Sequence, residues 1–235
     1  MFTGSTVLLT GVGAEGQVGE AVADAFAAAG ATVVLVDRTP SKVEARARAI
    51  RDRGYKAHAY ACDLTDPAAV AALVQTVRGN HGTALNALVH MAGGFGMSGP
   101  VAESSLEVWN RQLAINLTTS YITARGFIPL LRAGRGTLVF FASRAALPGA
   151  ARAKMSAYAI AKSGVVTLMR AIAAEERPNG VRANALAPSS IRTASNVQSM
   201  GDAVHYVERQ QVADAVLFLC SEQASAITGT VMPLG

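Results

Sequence analysis

Thr6-Val7-Leu8-Leu9-Thr10-Gly11-Val12-Gly13-Ala14-Glu15-Gly16-Gln17-Val18-Gly19 joins a short apolar run to a glycine-rich turn and then to an alanine-rich stretch. That order decides the fold. The apolar run has the length and composition of a buried strand. From about Val18 to Ala29 the pattern is helical, Gly30 stops it, and Ala31–Val36 reads as a second strand. Strand, turn, helix and strand make a βαβ unit, whose crossover requires the two strands to run parallel.

The same alternation continues to the end of the chain. Thr39-Pro40-Ser41 opens a polar, Arg-rich helix ending near Gly54, and Lys56–Cys62 is a third strand. Asp66-Pro67 caps a helix through Val77, Leu85–Met91 is a fourth strand, and Gly93–Gly99 is a glycine-rich loop. Ser104 or Ser105 caps a long helical stretch to about Arg132. Gly136–Ala142, Val181–Leu186 and Thr230–Met232 are further strands, with helices at about Ser156–Glu176 and Gln210–Ser221. Seven strands separated by helices predict an α/β fold, a doubly wound parallel seven-stranded sheet of the Rossmann type. No linker, repeat or low-complexity tract interrupts it, so residues 1–235 read as a single domain.

Composition narrows the function. The chain is 51% apolar and 16% charged, a globular rather than disordered balance. A net charge of +5 permits nucleic-acid binding, but the basic residues are scattered, with no Lys/Arg run and no aromatic-basic motif. No apolar run approaches the ~20 residues of a membrane span, and no basic region precedes the first strand as in a targeting peptide. Cys62 and Cys220 lack metal-ligand spacing and read as reduced core residues of a cytoplasmic protein. The expected partners are therefore small molecules, not nucleic acid or membrane, and no metal site is expected.

Chemistry concentrates at three places. Gly11, Gly13 and Gly16 satisfy GxGxxG between a strand and a helix, where glycine lets the backbone approach a diphosphate at the helix N-terminus. Asp37 ends the second strand, where a carboxylate accepts hydrogen bonds from ribose hydroxyls and repels a 2′-phosphate. NAD is thus favoured over NADP, although Arg38 can either stack on adenine or pair with a phosphate. Tyr158 and Lys162 stand at i and i+4 in Ser156-Ala-Tyr-Ala-Ile-Ala-Lys162, on one helix face. A nearby ammonium favours phenolate over phenol and is expected to lower a pKa that starts near ~10. Alone, such a pair reads as a surface Tyr beside a solvated Lys; the glycine turn and Asp37 give it company.

With these residues in place, the chain resembles the classical short-chain dehydrogenase/reductase family from about Thr6 to Pro233. The resemblance implies that Asp63 and Leu64 lie at the adenine and that Ala92 and Gly93 meet the cofactor. It implies that Asn116 supports a proton-relay water linking Lys162 to solvent. Ser143 is implied to bind the reacting oxygen, and Pro188, Ile191 and Thr193 to hold the nicotinamide carboxamide. Tyr158 then exchanges a proton with an alcohol or carbonyl substrate, and Lys162 also binds the nicotinamide ribose. Family members usually assemble as homotetramers or homodimers through the helices around Asn116 and Tyr158 and through the last strand.

Several departures from the family pattern stand out. The glycine turn is longer than usual, and Gln17 falls where the middle glycine belongs, counting back from Gly19. Diphosphate contacts are then expected from the Gln17 and Val18 backbone, as in the enoyl-reductase branch. His90-Met91 replaces an Asn pair, and a hydrogen-bonded structural imidazole is favoured over a ligand or catalytic one. The Ser143–Tyr158 loop is long and carries Arg144, Arg152 and Lys154, either a solvated loop or an attractor for an acidic substrate. Ser189 follows Pro188 where the family has glycine, and Ser189–Tyr206 is a short lid. Alcohol/carbonyl hydride transfer leads. C=N or C=C reduction and a non-catalytic NAD sensor remain as alternatives.

Overall fold

The computed structural model describes residues 1–235. Seven parallel strands form one sheet in the order β3-β2-β1-β4-β5-β6-β7. They are β1 (Thr6–Thr10), β2 (Thr32–Asp37), β3 (Ala57–Ala61), β4 (Ala87–His90), β5 (Thr137–Phe141), β6 (Arg182–Pro188) and β7 (Val231–Leu234). The chain moves outward from β1 to β3, then returns to place β4 on the other side of β1. That reversal opens a crevice at the carboxyl ends of β1 and β4.

Each strand serves two cores because its side chains alternate between faces. Val7 and Leu9 join the cluster beneath α1 (Val18–Ala28), α2 (Pro40–Arg51) and α8 (Arg209–Cys220), whereas Leu8 points to the opposite cluster. That second face is covered by α3 (Pro67–His81), α5 (Thr119–Gly134) and α6 (Ser156–Glu176). Phe26 fills the first core and Phe127 and Phe140 the second, all fully buried. Burial of one such side chain contributes about 1.5–3 kcal/mol, so the two layers hold the sheet rigid from both sides.

The strands and helices fall where the alternation places them, with local differences. α3 runs a turn beyond Val77, to His81, where Arg78 and His81 suit its C-terminal end. The expected long helix is α4 (Leu106–Leu113), a π turn at Ala114–Thr118, and α5 in succession. Ser105 supplies its cap, accepting from the Val108 N–H at 3.2 Å. An unexpected helix, α7 (Ala194–Met200), occupies the lid, capped by Thr193. Ser156–Asn179, which contains α6, is long and apolar enough to cross a membrane, but half of its most apolar stretch is buried within the folded chain.

Candidate active site

The glycine turn shapes one wall of the crevice. Gly11 has φ +75°, and a Cβ there would lie 2.8 Å from the Ala92 nitrogen, so the turns after β1 and β4 nearly touch. At Gly13 a Cβ would lie 2.7 Å from the Asp37 carboxyl carbon. Asp37 fills that space and binds the turn, accepting from the N–H of Gly13 at 3.0 Å and of Thr39 at 3.1 Å. Gly16 donates its N–H at 2.7 Å to Glu20, which also pairs with Arg46 at 2.6 Å and Arg209 at 3.2 Å. Three helices thereby brace the lengthened turn. Gln17 is extended and puts no side-chain cap on α1, leaving the first-turn N–H groups without a side-chain acceptor.

The opposite wall carries the reactive side chains. Lys162 is 6% exposed and donates to the Phe141 carbonyl at 2.7 Å. Burial lowers its pKa from 10.5 to about 8. Tyr158 lies on the same face of α6, its ring centroid 5.9 Å from the Lys162 Nζ. Burial pushes the Tyr158 phenol above its usual value, and the neighbouring Ser143 hydroxyl only partly opposes that. The expected downward shift is therefore reversed. Helical spacing aligned the two groups, but the ammonium is directed at a backbone carbonyl and desolvation sets the direction of the shift.

Asn116 is fully buried in the π turn. Its Oδ1 accepts from the Gly94 N–H at 3.1 Å, and its Nδ2 donates to the Gly94 carbonyl at 3.0 Å. The side chain also donates to the Gln112 backbone and side-chain oxygens, each at 3.1 Å. It thus clamps the loop after β4 rather than pointing freely at Lys162. A Cβ on Gly93 would lie 2.6 Å from Asn116 Oδ1 and 3.5 Å from Lys162 Nζ, which is why glycine stands there.

His90 has a structural role with a defined proton inventory. Thr10 Oγ1 already accepts from the N–H groups of Met91 and Ala92, both at 3.2 Å, so its own proton goes to His90 Nδ1 at 3.2 Å. His90 Nε2 then donates to Thr119 Oγ1 at 3.4 Å, and Thr119 donates onward to the Ile115 carbonyl at 2.9 Å. Burial first, and the Lys162 charge second, lower the imidazole pKa to about 3. It is neutral at physiological pH, tying β1 and β4 to the π turn.

Between the walls lies a cavity of about 500 Å³. Gly11, Gln17, Val18, Gly19 and Asp37 line one end; Ser143, Tyr158 and Lys162 line the other. Ala92, Gly93, Pro188, Ile191 and Thr193 lie between them. Five expected cofactor residues stand outside the lining. Gly13 is covered by Asp37, and the Gly16 N–H is taken by Glu20. Asp63 accepts from Thr65 at 2.9 and 2.7 Å, Leu64 is packed in the core, and Arg38 is exposed beyond β2. Sequence reasoning reached Phe95, Ser195 and Asn196 only as members of two pocket-shaping loops, Phe95–Pro100 and Ser190–Met200, and missed Phe141. The seven-residue α7 shows no hydrophobic period that could single out Ser195 or Asn196.

The basic loop is less available than its sequence suggested. Arg152 Nε donates to the Ala145 carbonyl at 2.8 Å and its guanidinium also reaches Leu147, while Arg144 donates to the Gly235 carbonyl at 3.2 Å. Another cavity, about 580 Å³ in volume, lies among the amino ends of the strands, near Arg135, Arg177 and Arg182. None of the catalytic motifs reaches it.

These features fit a nicotinamide dinucleotide: backbone closeness that only glycine permits, an uncapped helix N-terminus and a strand-end carboxylate. Comparison with known proteins agrees. Residues 11–234 match the sequence family described as enoyl-(acyl carrier protein) reductase. The chain is 31% identical to 2-(S)-hydroxypropyl-CoM dehydrogenase 3 of Xanthobacter autotrophicus, over 95% of this chain and 92% of that protein. It is 34% identical to D-threitol dehydrogenase of Mycolicibacterium smegmatis, over 96% and 89%. The crystal structure of levodione reductase superposes with a TM-score of 0.91 at 29% identity, covering 100% of this chain and 97% of that one.

Proposed function

The chain belongs to the short-chain dehydrogenase/reductase family, and on that premise we propose that it interconverts an alcohol and a carbonyl compound with NAD(H), using Tyr158 as general acid/base. The observation that carries this reading is the meeting of Ser143, Tyr158 and Lys162 in the same crevice as Asp37 and the glycine turn. Bound nicotinamide supplies or accepts the hydride. The Ser143 and Tyr158 hydroxyls hold the substrate oxygen and stabilise charge that develops on it. Tyr158 gives its proton to that oxygen in reduction and takes it back in oxidation.

The raised phenol pKa keeps Tyr158 protonated at neutral pH, which suits reduction. Oxidation needs the phenolate, so its rate rises with alkaline pH. Lys162 remains mainly protonated until pH approaches about 8 and serves the cofactor ribose. Asn116 and His90 act at one remove, by fixing the loop that carries Gly93 and Gly94. Asp37 supports NAD over NADP by presenting a carboxylate where an added phosphate would sit. Self-association through α5 and α6 and a cytoplasmic location belong to the same reading; Tyr121 and Ile160 leave apolar surface on those helices.

The test is NADH absorbance with a panel of alcohols and ketones. NAD should give a higher kcat/KM than NADP, and Tyr158→Phe should lower turnover by about 10³-fold or more while NADH still binds. Retained turnover in that variant would overturn the assignment of Tyr158. The lengthened glycine turn favours one second reading, C=C reduction. An enone consumed at its alkene with the carbonyl intact would support it.

A further inference from the structure

We propose that the substrate is an uncharged secondary alcohol or ketone with an apolar, ring-sized body, and that Phe95 sets this preference. The inference rests on the oxidoreductase reading above and deepens it. Its basis is the loop Gly93–Gly99, which is held at both ends. Asn116 binds both backbone groups of Gly94, at 3.1 and 3.0 Å. At the other end the Lys154 carbonyl accepts from the N–H groups of Ser98 at 2.8 Å and Gly99 at 3.1 Å, and from the Ser98 hydroxyl at 3.3 Å. Lys154 does this at φ +62°, a left-handed conformation that side chains other than glycine's seldom adopt.

Between these braces Phe95 meets Tyr158 edge-on, with ring centroids 5.1 Å apart and planes at 82°. Phe95 nevertheless remains 63% exposed and lines the cavity. A large aromatic held open beside the reacting hydroxyl is an apolar wall for whatever carries the reacting carbon. Met97, 52% exposed in the same loop, extends the apolar surface.

Polar recognition is scarce at this end. Asn196 Nδ2 donates to the Ile191 carbonyl at 2.8 Å, and the Ser195 hydroxyl lies 3.3 Å from Gln17 Oε1 and 3.2 Å from Thr193 Oγ1. Ser189 lines the cavity, but its Oγ is buried there without a hydrogen-bond partner. Ser143 and Tyr158 also line the cavity, but the reacting oxygen itself requires them. Each further substrate hydroxyl buried without a partner would cost roughly tenfold in affinity. Charge recognition is equally scarce. The only charged residues lining the cavity are Asp37, at the glycine turn, and Lys162, bonded to Phe141. Arg144 and Arg152 are committed to carbonyls, and Lys154, the third basic residue of that loop, is exposed and does not line the cavity.

Oxidation rates with NAD of cyclohexanol, threitol and 4-hydroxycyclohexanecarboxylate, for the native protein and Phe95→Ala and Phe95→Leu, test this directly. The native enzyme should prefer cyclohexanol over threitol by about 10²-fold in kcat/KM, from two or more unpaired hydroxyls. Phe95→Ala should lose about 10-fold or more on cyclohexanol through KM, lose several-fold less on threitol, and leave the NADH dissociation constant unchanged. Phe95→Leu should restore most of the loss. Preference for threitol or for the carboxylate, or an equal loss on all substrates, overturns the proposal while leaving the oxidoreductase reading intact. Turnover of none of the three, or of any other alcohol or ketone, with NADH still bound, overturns both.

Discussion

Helix α6 carries a buried charge near each end, and the two are treated in opposite ways. Lys162, at the crevice, has no carboxylate partner, only the Phe141 carbonyl, and burial drives its pKa down to about 8. Glu176, fourteen residues on and 3% exposed, receives a two-pronged Arg132 guanidinium at 2.7 and 2.6 Å and an Asn179 amide at 2.9 Å. Arg132 first, with Asn179 assisting, holds its pKa below the usual carboxylate range despite burial. One charge is kept where the fold disfavours it. The other is kept because the fold satisfies it. On the proposed function, the difference separates a group retained for chemistry from one retained for architecture.

Lys162→Met should break this contrast most visibly. Turnover should fall by roughly 10³-fold, since the ammonium proposed to hold the cofactor ribose beside Tyr158 is gone. Stability should rise instead. At pH 7 the charged lysine costs about 3 kcal/mol, from the fall in pKa from 10.5 to about 8, and the lost bond to Phe141 returns about 1 kcal/mol of that. Melting temperature should therefore increase by about 4–8 °C for a chain of this size. The sign with pH is fixed: the folded pKa lies below the unfolded one, so the penalty is full below pH 8 and disappears towards pH 10.5. A variant that melts lower than the native protein at pH 7 would show that Lys162 stabilises the fold.

Removing Arg132 or Glu176 should act only on stability, and unequally. Arg132 has a side chain 51% exposed and can return to water, whereas Glu176 cannot. Arg132→Ala therefore leaves a buried carboxylate with only Asn179, a loss of about 3 kcal/mol for the stranded Glu176. Glu176→Ala should cost less. In the native protein, the contribution of Glu176 is present above its unfolded pKa of 4.5 and is lost as pH falls through its lower folded value; Arg132→Ala should flatten that decline. Thermal melts from pH 7 to 3 decide it, and equal losses in the two variants would remove the asymmetry. NADH turnover at 25 °C should stay near native in both.

How far this contrast was readable before folding differs between the two ends. Tyr158 and Lys162 were legible because helical spacing fixes which side chains share a face, and the glycine turn because strand, turn and helix signals coincide. The sheet order follows from the same alternation. The direction of the Tyr158 shift was not legible, because burial is set by β5 and the Gly93–Gly99 loop, far away in sequence. α7 was hidden by its seven-residue length, too short for a hydrophobic period to declare itself. Asn116 was named for a different role, and its clamp on Gly94 depends on a π turn, which leaves no pattern in composition. The Arg132–Glu176 pair spans 44 residues and two helices, a contact no local motif encodes.

His90 sharpens the comparison because it belongs to the crevice end yet has no chemistry to perform. Its pKa of about 3, against 6.5 when unfolded, means that the unfolded chain takes up a proton that the folded chain refuses. Stability is thus unaffected at neutral pH and is lost as pH falls from 6.5 towards 3, by about 2 kcal/mol at pH 5. Lys162 adds to this refusal by its charge, and Thr10, Thr119 and Phe140 surround the ring without offering a carboxylate. His90→Gln keeps a donor and an acceptor but cannot titrate, so its stability should be flatter than the native protein's between pH 6.5 and 4, whatever its level at pH 7. Urea midpoints across that interval measure the slope. Parallel curves would mean that the imidazole accepts its proton in the folded state, and the Thr10–His90–Thr119 relay would then have to run with the opposite proton order or open to solvent.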